Sequence, residues 1–234
     1  MTEAAGARGP RPGYASPPCL AHELDQGYFD PLAVDAQQAV DVARWRRAER
    51  GRLLAGRSAL SVAERREIAA ALEGVLTRVI GERVGPVAGR VIAGYWPIKG
   101  EPDLRGWLAA TREAGAVTAL PVVEIKAAPL VFRRWDRQTR MVRGDWNIPV
   151  PPPEAAPVIP QIALAPLVGC DDAGYRLGYG GGYFDRTLAA LSPRPFVVGV
   201  GLQAARLATI YPQPHDIPLD AIVTEMGVQL QAER

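Results

Sequence analysis

The sequence predicts an α/β protein of three layers, with helices covering both faces of a mostly parallel, Rossmann-like sheet. Two observations carry that expectation. From residue 90 onward, short apolar runs of strand length alternate with stretches of helical period. Within that stretch, Arg90 to Trp96 reads as a strand, Asp103 to Ala114 as a helix closed by Gly115, and Val117 to Val123 as a second strand. A strand, helix and strand joined in this way form a crossover unit, and crossover units build parallel sheets.

Composition narrows the function classes. At 234 residues, 48% of them hydrophobic, the chain is long enough for one large globular α/β domain. The 27 basic and 25 acidic residues give a net charge of +2, too even to point to nucleic acid or an anionic membrane as partner. Cys19 and Cys170, with His22 and His215, make no metal-ligand spacing, and a reduced cytoplasmic protein is expected. The first residues lack the apolar stretch of a secretion signal, and no run approaches the ~18 apolar residues of a membrane span. Residues 1–18, rich in Gly, Pro, Ala and Ser, read as a mobile tail. Residues 19–40 read as an extension packing on the core, and 41–234 as the α/β domain.

Taken in order, Asp35 and Gln38 resemble a capping box opening a helix that runs to about Gly56. Ser61 and Glu64 form a second box, and Ile68, Leu72, Val75, Leu76 and Val79 carry the period of a helix ending near Gly81. After the crossover unit, Pro129 to Trp135 is a further strand in a hairpin-like or edge position. Gly144 to Pro160 is a proline-dense surface connection. Ile162 to Val168 has the apolar continuity of a buried strand, Tyr183 to Leu191 opens a helix, and Phe196 to Gly201 is a strand. Ala204 to Ile210 reads as a short helix and Ala221 to Thr224 as the last strand.

The chemistry concentrates between Cys170 and Asp185, read as a glycine loop between a strand and a helix start. Gly178, Gly180, Gly181 and Gly182 free the backbone for positive φ and let its N–H groups approach an anion closely. The helix N-terminus behind them adds partial positive charge, and Arg176 adds a planar fork suited to phosphate. Tyr183 stands where the dinucleotide fingerprint needs its third glycine, and no Gly-Lys-Ser/Thr follows, so neither that fingerprint nor a P-loop is present. Asp185 is either a helix-dipole partner or a ligand for a hard cation such as Mg²⁺, and Asp216 either an Asx-turn residue or a second ligand. Upstream, Arg44, Arg46, Arg47, Arg50 and Arg52 crowd one helix, either as a solvated surface or as a phosphate clamp.

Arg176-Leu-Gly-Tyr-Gly-Gly-Gly-Tyr-Phe-Asp-Arg186 resembles the signature of the 5-formyltetrahydrofolate cyclo-ligase (5,10-methenyltetrahydrofolate synthetase) family. Further similar segments follow that family's order: the arginine helix into Ala59-Leu-Ser61, Tyr95-Trp-Pro-Ile-Lys-Gly-Glu101 with Leu120-Pro121, Trp146-Asn-Ile-Pro149, and His215-Asp216 with Val223-Thr-Glu225. The resemblance implies an ATP- and Mg²⁺-dependent cyclisation of 5-formyltetrahydrofolate to 5,10-methenyltetrahydrofolate, in a cytoplasmic monomer. It implies that Arg46, Arg47 and Arg50 face ATP phosphates, with Arg50 also reaching substrate. Arg176 and the loop Leu177, Gly178, Tyr179, Gly180, Gly181, Gly182, Tyr183 and Phe184 would wrap the nucleotide, and Asp185 and Asp216 would hold Mg²⁺. Trp96, Glu101 and Tyr183 match folate-contacting positions, and Arg176, Tyr183 and Asp185 the catalytic ones. Some members carry a cation inside the loop where this chain has Tyr179 and Gly181. Alternative readings are the same nucleotide site serving another small metabolite, or a non-catalytic folate- or nucleotide-binding protein.

Overall fold

Alternation of apolar residues fixes which side chains meet which layer. The computed structural model describes residues 36–231, so the Asp35 cap, the tail over 1–18 and most of the extension over 19–40 lie outside it. Helix α1, Ala36–Ala59, runs three residues past the expected stop at Gly56, an exposed glycine whose cost of about 1 kcal/mol does not end a helix. Helix α2, Val62–Arg83, begins at the predicted box: Ser61 Oγ accepts from the Glu64 N–H at 3.2 Å and Glu64 Oε2 from the Ser61 N–H at 2.7 Å. Leu72, Val75, Leu76, Val79 and Ile80 form its buried face, at the spacing one helical stripe requires.

The sheet is built from β1 (Val91–Ala93), β2 (Val117–Val122), β3 (Val131–Arg134), β6 (Ile162–Pro166), β9 (Phe196–Val200), β11 (Ala221–Thr224) and β12 (Gly227–Gln231). Its order is β12-β11-β9-β6-β1-β2-β3. The five inner strands pair in parallel, and the two edge strands, β3 and β12, pair antiparallel. Helix α3, Arg105–Glu113, is the crossover between β1 and β2. Period-two alternation sorts the core. Leu164, Val198 and Val223 join the cluster of α2 and α3, whereas Ala165, Val197 and Ile222 join Leu188 of α4 (Tyr183–Ala190). Helices therefore cover both faces, as expected.

Three expectations are corrected. The strand at 162–166 does not feed the glycine loop directly, because a short hairpin of β7 (Gly169–Asp171) and β8 (Arg176–Leu177) intervenes. The helix expected over 204–210 is instead a 3-10 turn at Gln203–Ala205 followed by β10 (Arg206–Leu207), which pairs with β7. A helix there would leave β7 unpaired on that side. The strand at 221–224 is not the last: Gly227 at φ 115° turns the chain back into β12. The proline-dense stretch also holds β5 (Pro149–Val150), paired antiparallel with β4 (Val142–Arg143).

Candidate active site

Candidate side chains gather beyond the carboxyl ends of the parallel strands, where open α/β sheets bind ligands. Helix α1 supplies one stripe, Arg46, Arg50 and Arg57, at spacings i, i+4 and i+11. Arg50 Nε donates to the Gly178 carbonyl at 2.6 Å, and burial depresses the pKa of its guanidinium. Arg46 is buried and committed: Nε donates to the Ile210 carbonyl at 2.9 Å, and Nη2 to the Tyr211 carbonyl at 2.8 Å and to Asp216. Arg57 is also buried and donates to Lys99 O, Leu167 O and the Tyr179 hydroxyl. Arg47 stands on the exposed side of the helix.

The glycine loop is shaped for an anion. Gly180 at φ 96° and Gly182 at φ 61° adopt backbone that side-chain-bearing residues rarely reach. A Cβ on Gly180 would stand 3.4 Å from the Arg50 guanidinium carbon, so loop and helix approach closely. Among the described residues the N–H groups of Gly178 to Gly182 have no protein acceptor, which leaves them for a ligand. Leu177 is buried in the core, so only its backbone can serve the loop. Phe184 packs against the core behind the loop and lies 5.1 Å under the Arg176 guanidinium.

Each proposed metal-binding carboxylate has an arginine partner. Buried Arg176 forks onto Asp185 at 3.1 to 3.3 Å, and Asp185 also accepts from the Ile217 N–H at 3.3 Å. Asp216 takes Arg46 on one side and the Gln213 N–H at 2.7 Å on the other. Burial, the largest single influence, works to raise its carboxyl pKa, but the Arg46 hydrogen bond and charge and the Gln213 N–H together hold the group below its usual value. The Asp185–Ile217 bond thus brings Asp185 to the residue next to Asp216. Among the described residues no cluster of three or more His, Cys, Asp or Glu forms a dedicated metal cage. Two carboxylates beside an anion cradle fit Mg²⁺, which characteristically takes one or two carboxylates and completes its shell with phosphate oxygens and water.

The residues that resemblance assigns to folate have separate surroundings. Glu101 is buried, accepting from the Ile98 N–H at 2.9 Å and from the Tyr179 hydroxyl at 2.8 Å, and burial pushes its carboxyl pKa up. Tyr183 accepts the Ala127 N–H at 3.3 Å and meets Trp146 edge to face at 5.6 Å. Trp96 lies elsewhere: the Arg105 guanidinium covers its ring at 4.6 Å, and it lines a cavity of about 390 Å³ with Trp135, Arg137 and Met141. The structure therefore links Glu101 to the glycine loop, but gives Trp96 its own surroundings. The sequence reading gave Arg57 no role, and Trp146 only a place in a segment similar to the family's. Arg57 continues the Arg46–Arg50 stripe seven residues past Arg50, a spacing legible in the sequence. Trp146, exposed at 68% with φ 53°, is large and apolar yet outside the core, a signal only the fold gives.

Comparison with known proteins agrees with this geometry. Residues 42–225 match the 5-formyltetrahydrofolate cyclo-ligase family. A 5-formyltetrahydrofolate cyclo-ligase of Mycolicibacterium smegmatis is 30% identical over 180 residues, covering 74% of this chain and 89% of the relative. One from Escherichia coli K12 is 30% identical over 148 residues, 61% of this chain and 81% of the relative. Among solved structures, 5,10-methenyltetrahydrofolate synthetase of Aquifex aeolicus superposes with a TM-score of 0.68 at 28% identity, covering 81% of this chain and 94% of that one. The synthetase of Mycoplasma pneumoniae shares the fold, with a TM-score of 0.63 at 24% identity over 77% of this chain and 98% of that one. On fold, loop and sequence together, the chain belongs to the 5-formyltetrahydrofolate cyclo-ligase family.

Proposed function

We propose that this protein is an ATP- and Mg²⁺-dependent 5-formyltetrahydrofolate cyclo-ligase. It converts 5-formyltetrahydrofolate to 5,10-methenyltetrahydrofolate and releases ADP and phosphate. The observation that carries the reading is the glycine loop of open N–H donors, flanked by Arg50 and Arg176 and joined through Tyr179 to the buried Glu101. The family's reaction transfers the γ-phosphoryl group to the formyl oxygen; the second folate nitrogen then attacks the activated carbon, and the oxygen leaves with phosphate. Such chemistry asks for positioning and charge neutralisation rather than a protein nucleophile.

In this reading the loop N–H groups and Arg176 orient the transferred phosphoryl group, and Arg50 holds the loop through Gly178 O. Tyr183 and Trp146 offer an aromatic wall to the pterin, and Glu101 accepts its N–H donors. Asp185 and Asp216 would hold Mg²⁺, which when bound neutralises phosphate charge. On binding, Arg176 and Arg46 can exchange these carboxylates for phosphate oxygens, so the buried guanidinium groups keep an anionic partner.

The test is turnover. Purified protein with Mg-ATP should form a product from 5-formyltetrahydrofolate that absorbs in the near ultraviolet, and Asp185→Asn, which keeps an acceptor for Arg176, should lower kcat on the order of 100-fold. No product at high enzyme concentration, with ATP binding intact, refutes the activity. An unimpaired Asp185→Asn refutes the metal assignment.

A further inference from the structure

Tyr179 is the one residue between Gly178 and Gly182 with a side chain, and its hydroxyl is fully engaged. It donates to Glu101 Oε1 at 2.8 Å and accepts from Arg57 Nη2 at 2.5 Å. Arg57 is fixed in turn by the carbonyls of Lys99 and Leu167. The second Glu101 oxygen takes the Ile98 N–H, so each oxygen has one donor and keeps acceptor capacity, and one of the two donors comes from the glycine loop. Lys99 Nζ lies 5.1 Å from the Tyr179 ring centre, buried Tyr95 bears on the same carboxylate, and a Cβ on Gly100 beside it would stand 3.6 Å from the guanidinium carbon of Arg65 of α2.

We infer that Tyr179 is a positioning residue for the folate side of the site, its hydroxyl fixing the Glu101 carboxylate so that the glycine loop and the pterin subsite act as one unit. The inference rests on the cyclo-ligase reading and deepens it, moving the Tyr179 side chain from nucleotide contact to substrate orientation. A neutral donor suits this task. A phenol orients the carboxylate through one hydrogen bond and brings no charge of its own, whereas the cation that some members carry inside the loop would form an ion pair with it. Arg57 reinforces the arrangement by polarising the phenol toward Glu101.

The test measures equilibrium binding of 5-formyltetrahydrofolate and of ATP, by tryptophan fluorescence, in wild type, Tyr179→Phe, Glu101→Gln and the double variant. Tyr179→Phe should weaken folate binding about 5- to 10-fold, the scale of an ordinary hydrogen bond, since Tyr179 acts on folate only through Glu101, and leave ATP binding unchanged. Glu101→Gln should weaken folate binding more, and adding Tyr179→Phe to it should cost little further. In the ligand-free protein, the ¹³C shift of the Glu101 carboxyl should titrate at higher pH in Tyr179→Phe, because the lost donor favoured the ionised form. Additive folate effects, a loss confined to ATP, or an unmoved titration overturns the inference. A wild type that binds folate without forming product counts against the cyclo-ligase reading alone.

Discussion

Glu101 illustrates how burial makes one carboxylate's contribution to stability depend on pH. Burial raises its carboxyl pKa above the unfolded value of about 4.3. A raised folded-state pKa contributes stability that is fully present below the unfolded value and lost as pH rises through the folded value. Glu101→Gln has no such titration, so its Tm relative to wild type should climb as pH rises above the unfolded value of about 4.3 and through the raised folded value. Thermal melts across that range check it, and a constant difference would place Glu101 in a solvated setting. The resemblance singled out Glu101 in the sequence, but its partner was not legible there. Tyr179 and Glu101 are 78 positions apart, and no periodicity links a glycine loop to a strand-end turn. The same holds for Arg46, read as part of either a solvated surface or a phosphate clamp: its guanidinium latches onto the Ile210 and Tyr211 carbonyls, more than 160 positions away.

Among the elements, the best-read were those whose signals are local. The Ser61–Glu64 box appears with both of its hydrogen bonds, and α2 follows from it. Ser61→Ala should therefore cost about 1 kcal/mol and lower Tm by about 2–4 °C, while Ser61→Asp should leave Tm near wild type. Calorimetry on both variants decides; an unchanged Tm in Ser61→Ala would show that tertiary packing alone sets that helix start. The misread elements were those whose form depends on distant partners. Residues 204–210 have enough apolar character for a short helix, but β7 offers an open edge and β10 completes it. Likewise β12 carries a two-residue alternation, Val228 and Leu230 against Gln229 and Gln231, yet what makes it a strand is the edge of β11. Trp146 belongs here too, since only the β4–β5 hairpin brings it to Tyr183.

For the whole molecule, the parallel sheet with helices on both faces was legible because a doubly covered sheet imposes continuous apolar strands. Cys170 reports on that architecture. It sits in the cluster beneath α4, where burial pushes its thiol up to about 12. Thiol reagents should leave Cys170 unmodified at neutral pH in the folded protein and label it fully in denaturant, as read by peptide mass. Rapid labelling of native protein would contradict the packing around β7. The two arginine–aspartate pairs, Arg46–Asp216 and Arg176–Asp185, tie α1, β8, α4 and the 211–217 loop to one another. Removing either acid would strand a buried guanidinium, which costs several kcal/mol wherever it occurs. Selection for a stable fold alone would therefore retain both acids. Their presence in a relative marks an intact scaffold, and a descendant that had lost turnover would keep them all the same.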